Sequence, residues 1–278
     1  MNFKLTHIPK RSRKPREHGL TMVMDKGLSL RQAEDMIESC GEKIDILKLG
    51  FGSSYITNKL KEKIALYQAA DMRVYLGGTL LEAFLARNMF DEFRKLISDL
   101  KLDMVEVSDG SIILPHDEKC KIINILSKEL TVLSEVGSKE EGILISPNKW
   151  ISMMNTELEA GSWKVIAEAR ESGNVGIFRP NKNAHVTLIN KILAKVPNKS
   201  IIWETPLKPQ QVYFIKLGGA NVNLGNIAPN DVIPLETLRL GLRGETFFTF
   251  LPEEISAQIS QTYEMEKAQQ ADGQAVND

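Results

Sequence analysis

Cysteine is nearly absent: the 278 residues hold two, Cys40 and Cys120, far apart and in no CxxC pair or Cys/His cluster. That spacing argues against a structural zinc centre and against a secreted disulfide scaffold. Neither sign of charge prevails, the formal net charge being -1. No overall field therefore draws the chain to nucleic acid or to an anionic membrane, and an anionic ligand must be held by local cations. The one basic run, with Lys10, Arg11, Arg13, Lys14 and Arg16 around Pro9 and Pro15, has no interleaved aromatics, which argues against a nucleic-acid surface. No apolar run approaches a membrane span, and the N-terminus lacks the apolar segment of a signal peptide. The expectation is a cytoplasmic protein with neither nucleic acid nor membrane as partner; a homo-oligomer is left open.

The hydrophobic fraction of 42% is enough to fill one large core. Short apolar runs alternate with longer amphipathic ones. Strand-like runs occupy Leu20 to Met24, Ile44 to Leu49, Arg73 to Leu76, Met104 to Val107, Thr131 to Val136, a stretch opening at Trp163, Ile201 to Trp203, and Asn221 to Leu224. Each is followed by a helical segment, the first with Ser29 as N-cap. Eight βα repeats imply parallel pairing and right-handed crossovers, and they close most naturally into a single-domain (β/α)8 barrel of the TIM type. A doubly wound sheet would usually carry GxGxxG after its first strand, where this chain has Asp25-Lys26-Gly27. Residues 1–19 read as a basic irregular arm, with Arg16 in a site and the other cations solvated. Residues 20–250 form the barrel, and 251–278 an exposed polar tail.

In such a barrel the C-terminal strand ends share one mouth. The stretch Trp163 to Gly173, WKVIAEARESG, brings Glu168 and Arg170 to the same side of its strand, either as a structural ion pair or as chemistry. Other strand ends add Asp25, Glu106, Ser108, Asp109, Glu135, Glu204, Lys48 and Lys139. So many acids repel one another unless a cation neutralises them, and oxygen-only ligands favour a hard ion such as Mg²⁺. Glu106, Glu135, Glu168 and Glu204 are the metal candidates, against the alternative that some pair with nearby lysines and arginines. Gly50 to Ser53 and Gly77-Gly78-Thr79 could let backbone N–H groups approach an anion. Phosphate is expected at the loops after the seventh and eighth strands, Thr205 to Gln211 and Gly225 to Ile227, where Asn223 and Asn226 add donors.

The runs KPREHGLTMVMDKG (Lys14 to Gly27), GGTLLE (Gly77 to Glu82), VEVSDGS (Val105 to Ser111), EVGSK (Glu135 to Lys139), EARESG (Glu168 to Gly173), VNLGNI (Val222 to Ile227) and LETLRLGLRGET (Leu235 to Thr246) resemble the phosphosulfolactate synthase family. Two departures stand out: Gly50-Phe51-Gly52-Ser53-Ser54 in place of a GWGTS-like run, and Leu76 where a proline would precede GGT. The resemblance implies a barrel enzyme that uses Mg²⁺ to add sulfite to phosphoenolpyruvate, giving (2R)-phospho-3-sulfolactate on the way to coenzyme M or sulfolactate. The family is also similar to plant heat-stress-associated proteins.

In that reaction charge builds on the substrate carboxylate and a proton reaches the central carbon, so Mg²⁺ on the glutamates would act as a Lewis acid. Lys139 or Lys48 would be the acid, its pKa lowered in a desolvated mouth, and Arg170 would grip sulfite or phosphate through its planar fork. Arg16, Asp25, Gly78, Thr79, Ser108, Asp109, Ser172, Asn223, Gly225 and Asn226 complete the candidate substrate contacts. The competing readings are a barrel lyase for another phosphorylated or 2-oxo acid, using a Schiff-base lysine, and a non-catalytic stress-associated relative.

Overall fold

In a computed structural model, residues 2–137 and 145–259 are described. Eight strands alternate with helices: β1 (Thr21–Asp25), β2 (Ile46–Leu49), β3 (Arg73–Leu76), β4 (Met104–Val107), β5 (Thr131–Val136), β6 (Ser162–Ala167), β7 (Ile201–Glu204) and β8 (Leu224–Ile227). The helices are α1 (Leu30–Cys40), α2 (Leu60–Ala69), α3 (Gly78–Leu85), α4 (Phe90–Asp99), α5 (His116–Leu126), α6 (Pro147–Ala160), α7 (Val186–Leu193), α8 (Lys208–Gly218) and α9 (Val232–Arg239). Helix α1 starts where Ser29 and Gln32 form a reciprocal capping box, and α6 where Ser146 caps a helix with proline in its first turn.

All ladders are parallel, in the order β3-β2-β1-β8-β7-β6-β5-β4. The (β/α)8 barrel is thus hydrogen-bonded around its circumference except between β3 and β4. That seam is bridged by side chains instead: Glu106 Oε1 of β4 accepts the Gly78 N–H at 2.8 Å. Glu82 of α3 reaches across to Ser108 Oγ and to the N–H groups of Ser111 and Ile112. Local pattern alone does not show this role for Glu82, because its work is to satisfy donors in the loop after β4, beside the seam where the eighth ladder is missing.

Strand period sorts the core into two shells. Leu20, Met22, Ile46, Tyr75, Met104, Leu133, Ile166 and Ile202 fill the barrel interior. Val23, Leu47, Val74, Val105, Val132, Val165 and Trp203 face the helices, where Trp203 stacks on Phe214 with ring centroids 4.5 Å apart.

The basic arm is held to the N-terminal rim rather than solvated. Arg11 pairs with Glu236 at 3.0 Å, Arg16 with Asp45 at 2.8 Å, and Lys14 Nζ donates to the carbonyls of Gly41, Ala70 and Asp71. Cations suit that rim because helix C-termini present unpaired carbonyls there. Lys10 and Arg13 remain exposed. Beneath the arm, buried Arg239 donates to Ala220, Val222 and Leu20 carbonyls, and burial beside Arg11 pushes its pKa down to about 9. No helix among the described residues is long and apolar enough to cross a membrane.

Candidate active site

Two residues beyond each of five interior apolar side chains stands a charged one: Ile46 and Lys48, Met104 and Glu106, Leu133 and Glu135, Ile166 and Glu168, Ile202 and Glu204. Period 2 therefore stacks a polar layer on the apolar plug at the C-terminal end of the strands. These five groups floor a cavity of about 540 Å³ whose walls include Phe51, Gly78, Thr79, Arg170, Ser172 and Asn226.

Within the layer the glutamates divide. Oxygen atoms of Glu135, Glu168 and Glu204, from three consecutive strand ends, all lie within 4.8 Å of one another, and all three residues are buried. Glu106 stands apart from this trio. Its Oε1 is taken by Gly78, and its Oε2 lies 2.9 Å from Lys48 Nζ. Lys48 also approaches Glu204 at 3.6 Å and Glu135 at 3.9 Å. Burial alone would lower the Lys48 pKa, but Glu106, Glu204 and Glu135 outweigh it and hold the ammonium well above the ordinary lysine value. The expectation of a Lys48 pKa lowered toward neutrality is thereby corrected: the neighbours at this strand end are anions, not cations.

Glu204 carries the opposite strain. Burial, reinforced by Glu135 and Glu106, raises its pKa from 4.5 to about 7 despite Lys48 and a hydrogen bond from Ala169 N–H at 3.0 Å. The Glu204 Oε1 atom is buried and makes no hydrogen bond among the described residues. A buried all-oxygen trio in which burial, reinforced by Glu135 and Glu106, raises the pKa of Glu204 fits a hard divalent cation, whose charge would favour the ionised form of all three carboxylates.

The family model for (2R)-phospho-3-sulfolactate synthase (ComA) matches residues 9–245. Phosphosulfolactate synthase of Methanothermobacter thermautotrophicus is 39% identical over 244 residues, 86% of this chain and 95% of the relative. The Bacillus subtilis phosphosulfolactate synthase is 38% identical over 251 residues, 89% of this chain and 100% of the relative. The chain belongs to the phosphosulfolactate synthase family. Among solved structures, 3-hexulose-6-phosphate synthase from Salmonella typhimurium superposes with a TM-score of 0.52 at 11% identity, covering 81% of this chain and 100% of that one; this likeness is one of fold alone.

Several residues expected at the mouth of this phosphosulfolactate synthase family member lie elsewhere. Asp25 faces the helices, where Lys63 Nζ (2.6 Å) and the Tyr67 hydroxyl (2.9 Å) bind its carboxylate and Gly27 and Leu28 N–H groups cap it. Arg16 is at the opposite rim on Asp45. Asn223 is there too, bonded to Leu20 N–H and to the Lys199 and Ile201 carbonyls. Ser108 is turned to Glu82, and Asp109 to Lys119 at 3.1 Å. Gly225 lies within β8 against Met22, below the cavity. Of the anticipated phosphate corner only Asn226 lines the cavity, its buried Oδ1 without a hydrogen bond among the described residues. Gln210 is occupied with the Gly173 and Lys182 carbonyls, and Gln211 with that of Thr205. Lys139 lies outside the described residues.

Gly137, directly after β5, has φ +152, and a Cβ there would meet the Glu168 Cβ at 2.4 Å. Neither side can yield without moving the end of β6. Gly137→Ala is therefore expected to weaken divalent-cation binding on the order of tenfold or more. The change should appear in Mn²⁺ titration of a variant whose far-UV circular dichroism is unaltered; parental affinity would show that Glu168 tolerates the shift.

Protonation of Glu204 sets a second expectation. With its pKa at about 7 in the metal-free protein, a cation must displace its proton below that pH. Affinity should therefore fall as the pH drops from 8 to 6, approaching tenfold per unit at the acid end. Calorimetry in two buffers of different ionisation enthalpy should count about half a proton released at pH 7 and almost none at pH 8.5. Binding without proton release at pH 6 would contradict this.

Proposed function

We propose that this mouth joins sulfite to phosphoenolpyruvate, giving (2R)-phospho-3-sulfolactate, with Mg²⁺ held by Glu135, Glu168 and Glu204. The convergence of those three buried carboxylates, in a family of phosphosulfolactate synthases, carries the reading. Sulfur donates an electron pair to the CH₂ carbon and a C–S bond forms. The π pair of the double bond shifts toward the carboxylate, and a proton then adds at the central carbon; no group leaves. A bound divalent cation supplies Lewis-acid stabilisation of that developing charge.

The chain's own residues divide the remaining work. Lys48, kept cationic by its glutamates, balances charge and orients Glu106; an ammonium held so far above the ordinary range is a poor proton donor at neutral pH. The acid is assigned to Lys139, two residues beyond Gly137 in the sequence. Arg170 has a left-handed backbone (φ 54), and its N–H donates to Glu168 Oε1 at 2.5 Å. Arg170 is exposed and lines the cavity, and its guanidinium is suited to bidentate capture of sulfite or phosphate. Thr79, Ser172 and Asn226 supply the neutral hydrogen-bonding groups of the wall.

Incubating the purified protein with phosphoenolpyruvate, sulfite and Mg²⁺ tests the proposal by phosphorus NMR. The enol phosphate resonance should give way to an alkyl phosphate only when all three are present, and chelation should stop the conversion until Mg²⁺ is returned. Folded protein that leaves phosphoenolpyruvate unchanged would overturn it. A lysine adduct trapped by borohydride would identify a Schiff-base lyase instead.

A further inference from the structure

Behind the strand end that carries Glu135 lies a buried polar cluster with no part in the cavity wall. Lys119 of α5 is fully buried, and its ammonium bonds three elements at once: the Glu135 carbonyl at 2.5 Å, Glu157 of α6 at 2.9 Å, and Asp109 in the loop after β4 at 3.1 Å. Every proton of the ammonium is thereby used. His116, one turn earlier on α5, places Nε2 at 3.2 Å from the same Glu157 oxygen and closes the cluster toward solvent.

The place of these bonds matters. The β4–β5 ladder ends with Val107 opposite Ser134, so strand pairing on that side stops one residue short of Glu135. Lys119 takes up the Glu135 carbonyl just beyond that point. On the other side Glu168 N–H donates to the Val136 carbonyl at 3.0 Å, and Gly137 then turns the chain away. A buried lysine–carboxylate pair is a weak source of net stability, since apolar side chains of similar volume often serve as well. What three directed bonds add is a fixed backbone position, and the side chain of Glu135 leaves from that backbone.

We propose that Lys119, clamped by Glu157, is a positioning residue that sets the direction of the Glu135 carboxylate into the cation-binding trio. The inference rests on the metal reading given under Proposed function. Outer groups that orient a metal ligand commonly govern affinity by 10- to 100-fold.

The test compares the parent protein with Lys119→Met, Lys119→Met/Glu157→Gln and Glu204→Gln, reading thermal unfolding and Mn²⁺ binding by electron paramagnetic resonance. The single Lys119→Met variant leaves Glu157 and Asp109 without their cation and is expected to melt lower. The double variant removes much of that imbalance and should regain most of the melting temperature. Its Mn²⁺ affinity should nonetheless stay about tenfold or more below the parent. A merely structural role would restore both together, so a double variant that binds Mn²⁺ within twofold of the parent overturns the inference, as does a double variant that remains unfolded. Glu204→Gln, which removes a ligand and leaves Lys119 in place, calibrates the loss due to the trio itself. A parent protein that takes up no Mn²⁺ would overturn the metal reading and this inference with it, whereas a parent that binds and a double variant that binds equally overturn the inference alone.

Discussion

Glu204→Gln is expected to abolish most turnover without harming the fold. The amide keeps the shape of the side chain and can still accept the Ala169 N–H. It removes, however, one of the three carboxylates that converge at the mouth. Mg²⁺ affinity should drop with it, and the loss of the electrostatic stabilisation that the cation would supply is expected to lower kcat on the order of 10²-fold or more. Stability should move the other way in the metal-free protein. A carboxyl whose pKa rises from 4.5 to about 7 on folding holds its proton more tightly in the native state than in the unfolded chain. Its contribution is fully present below pH 4.5 and is lost as the pH climbs through 7. A neutral amide escapes that loss, so the variant should melt no lower than the parent at pH 8 in chelator. An active variant, or one that unfolds at lower temperature under those conditions, would count against the assignment of Glu204.

Lys48→Met is expected to be the most destabilising change at the mouth. The Lys48 ammonium stands within 4.0 Å of Glu106, Glu135 and Glu204, and methionine removes that charge from beside those buried carboxylates. Breaking a buried ion pair from one side costs about 3–5 kcal/mol, which in a barrel of this size corresponds to a fall in Tm on the order of 10 °C. Two conditions should restore part of the loss. Saturating Mg²⁺ would supply positive charge to Glu135, Glu168 and Glu204, its proposed ligands. Acidification from pH 8 to 6 protonates Glu204, whose pKa rises further once Lys48 no longer depresses it. Melting curves at pH 6 and 8, with Mg²⁺ or chelator, decide the matter; a loss that neither condition relieves would mean that Lys48 acts by packing rather than by charge.

Much of this architecture could be read directly from the chain. Eight apolar runs separated by amphipathic segments permit few topologies, and the charged residue that ends each of several runs had to lie at one rim once the strands were parallel. Lys48, Glu106, Glu135, Glu168 and Glu204 were accessible in this way because each follows an apolar residue by two positions on the same strand face. The strand carrying Gly225 and Asn226 begins three residues later than its composition suggests. NVNLGNI has little intrinsic strand preference, and Leu224 to Ile227 pairs with both β7 and β1 because the gap between them had to be closed, with Asn226 left-handed (φ 55) where the β1 register shifts.

Other features belong to the tertiary structure alone. Thr21 to Asp25 is buried at every position, so the phase of its alternation is invisible and Asp25 could be assigned to either face. Only the partners across space, Lys63 and Tyr67, place it outward. The division of four similar glutamates into Glu106 on one side and Glu135, Glu168 and Glu204 on the other depends on where the Lys48 ammonium and the Gly78 N–H lie. Lys119 and Glu157 sit within ordinary helical patterns and acquire meaning only because α5 and α6 press them against the end of β5. Local sequence determined which elements form and which strand ends carry charge, since period and propensity act over a few residues. Which charges meet, and hence the character of the site, was decided by packing that brings together residues distant in the chain.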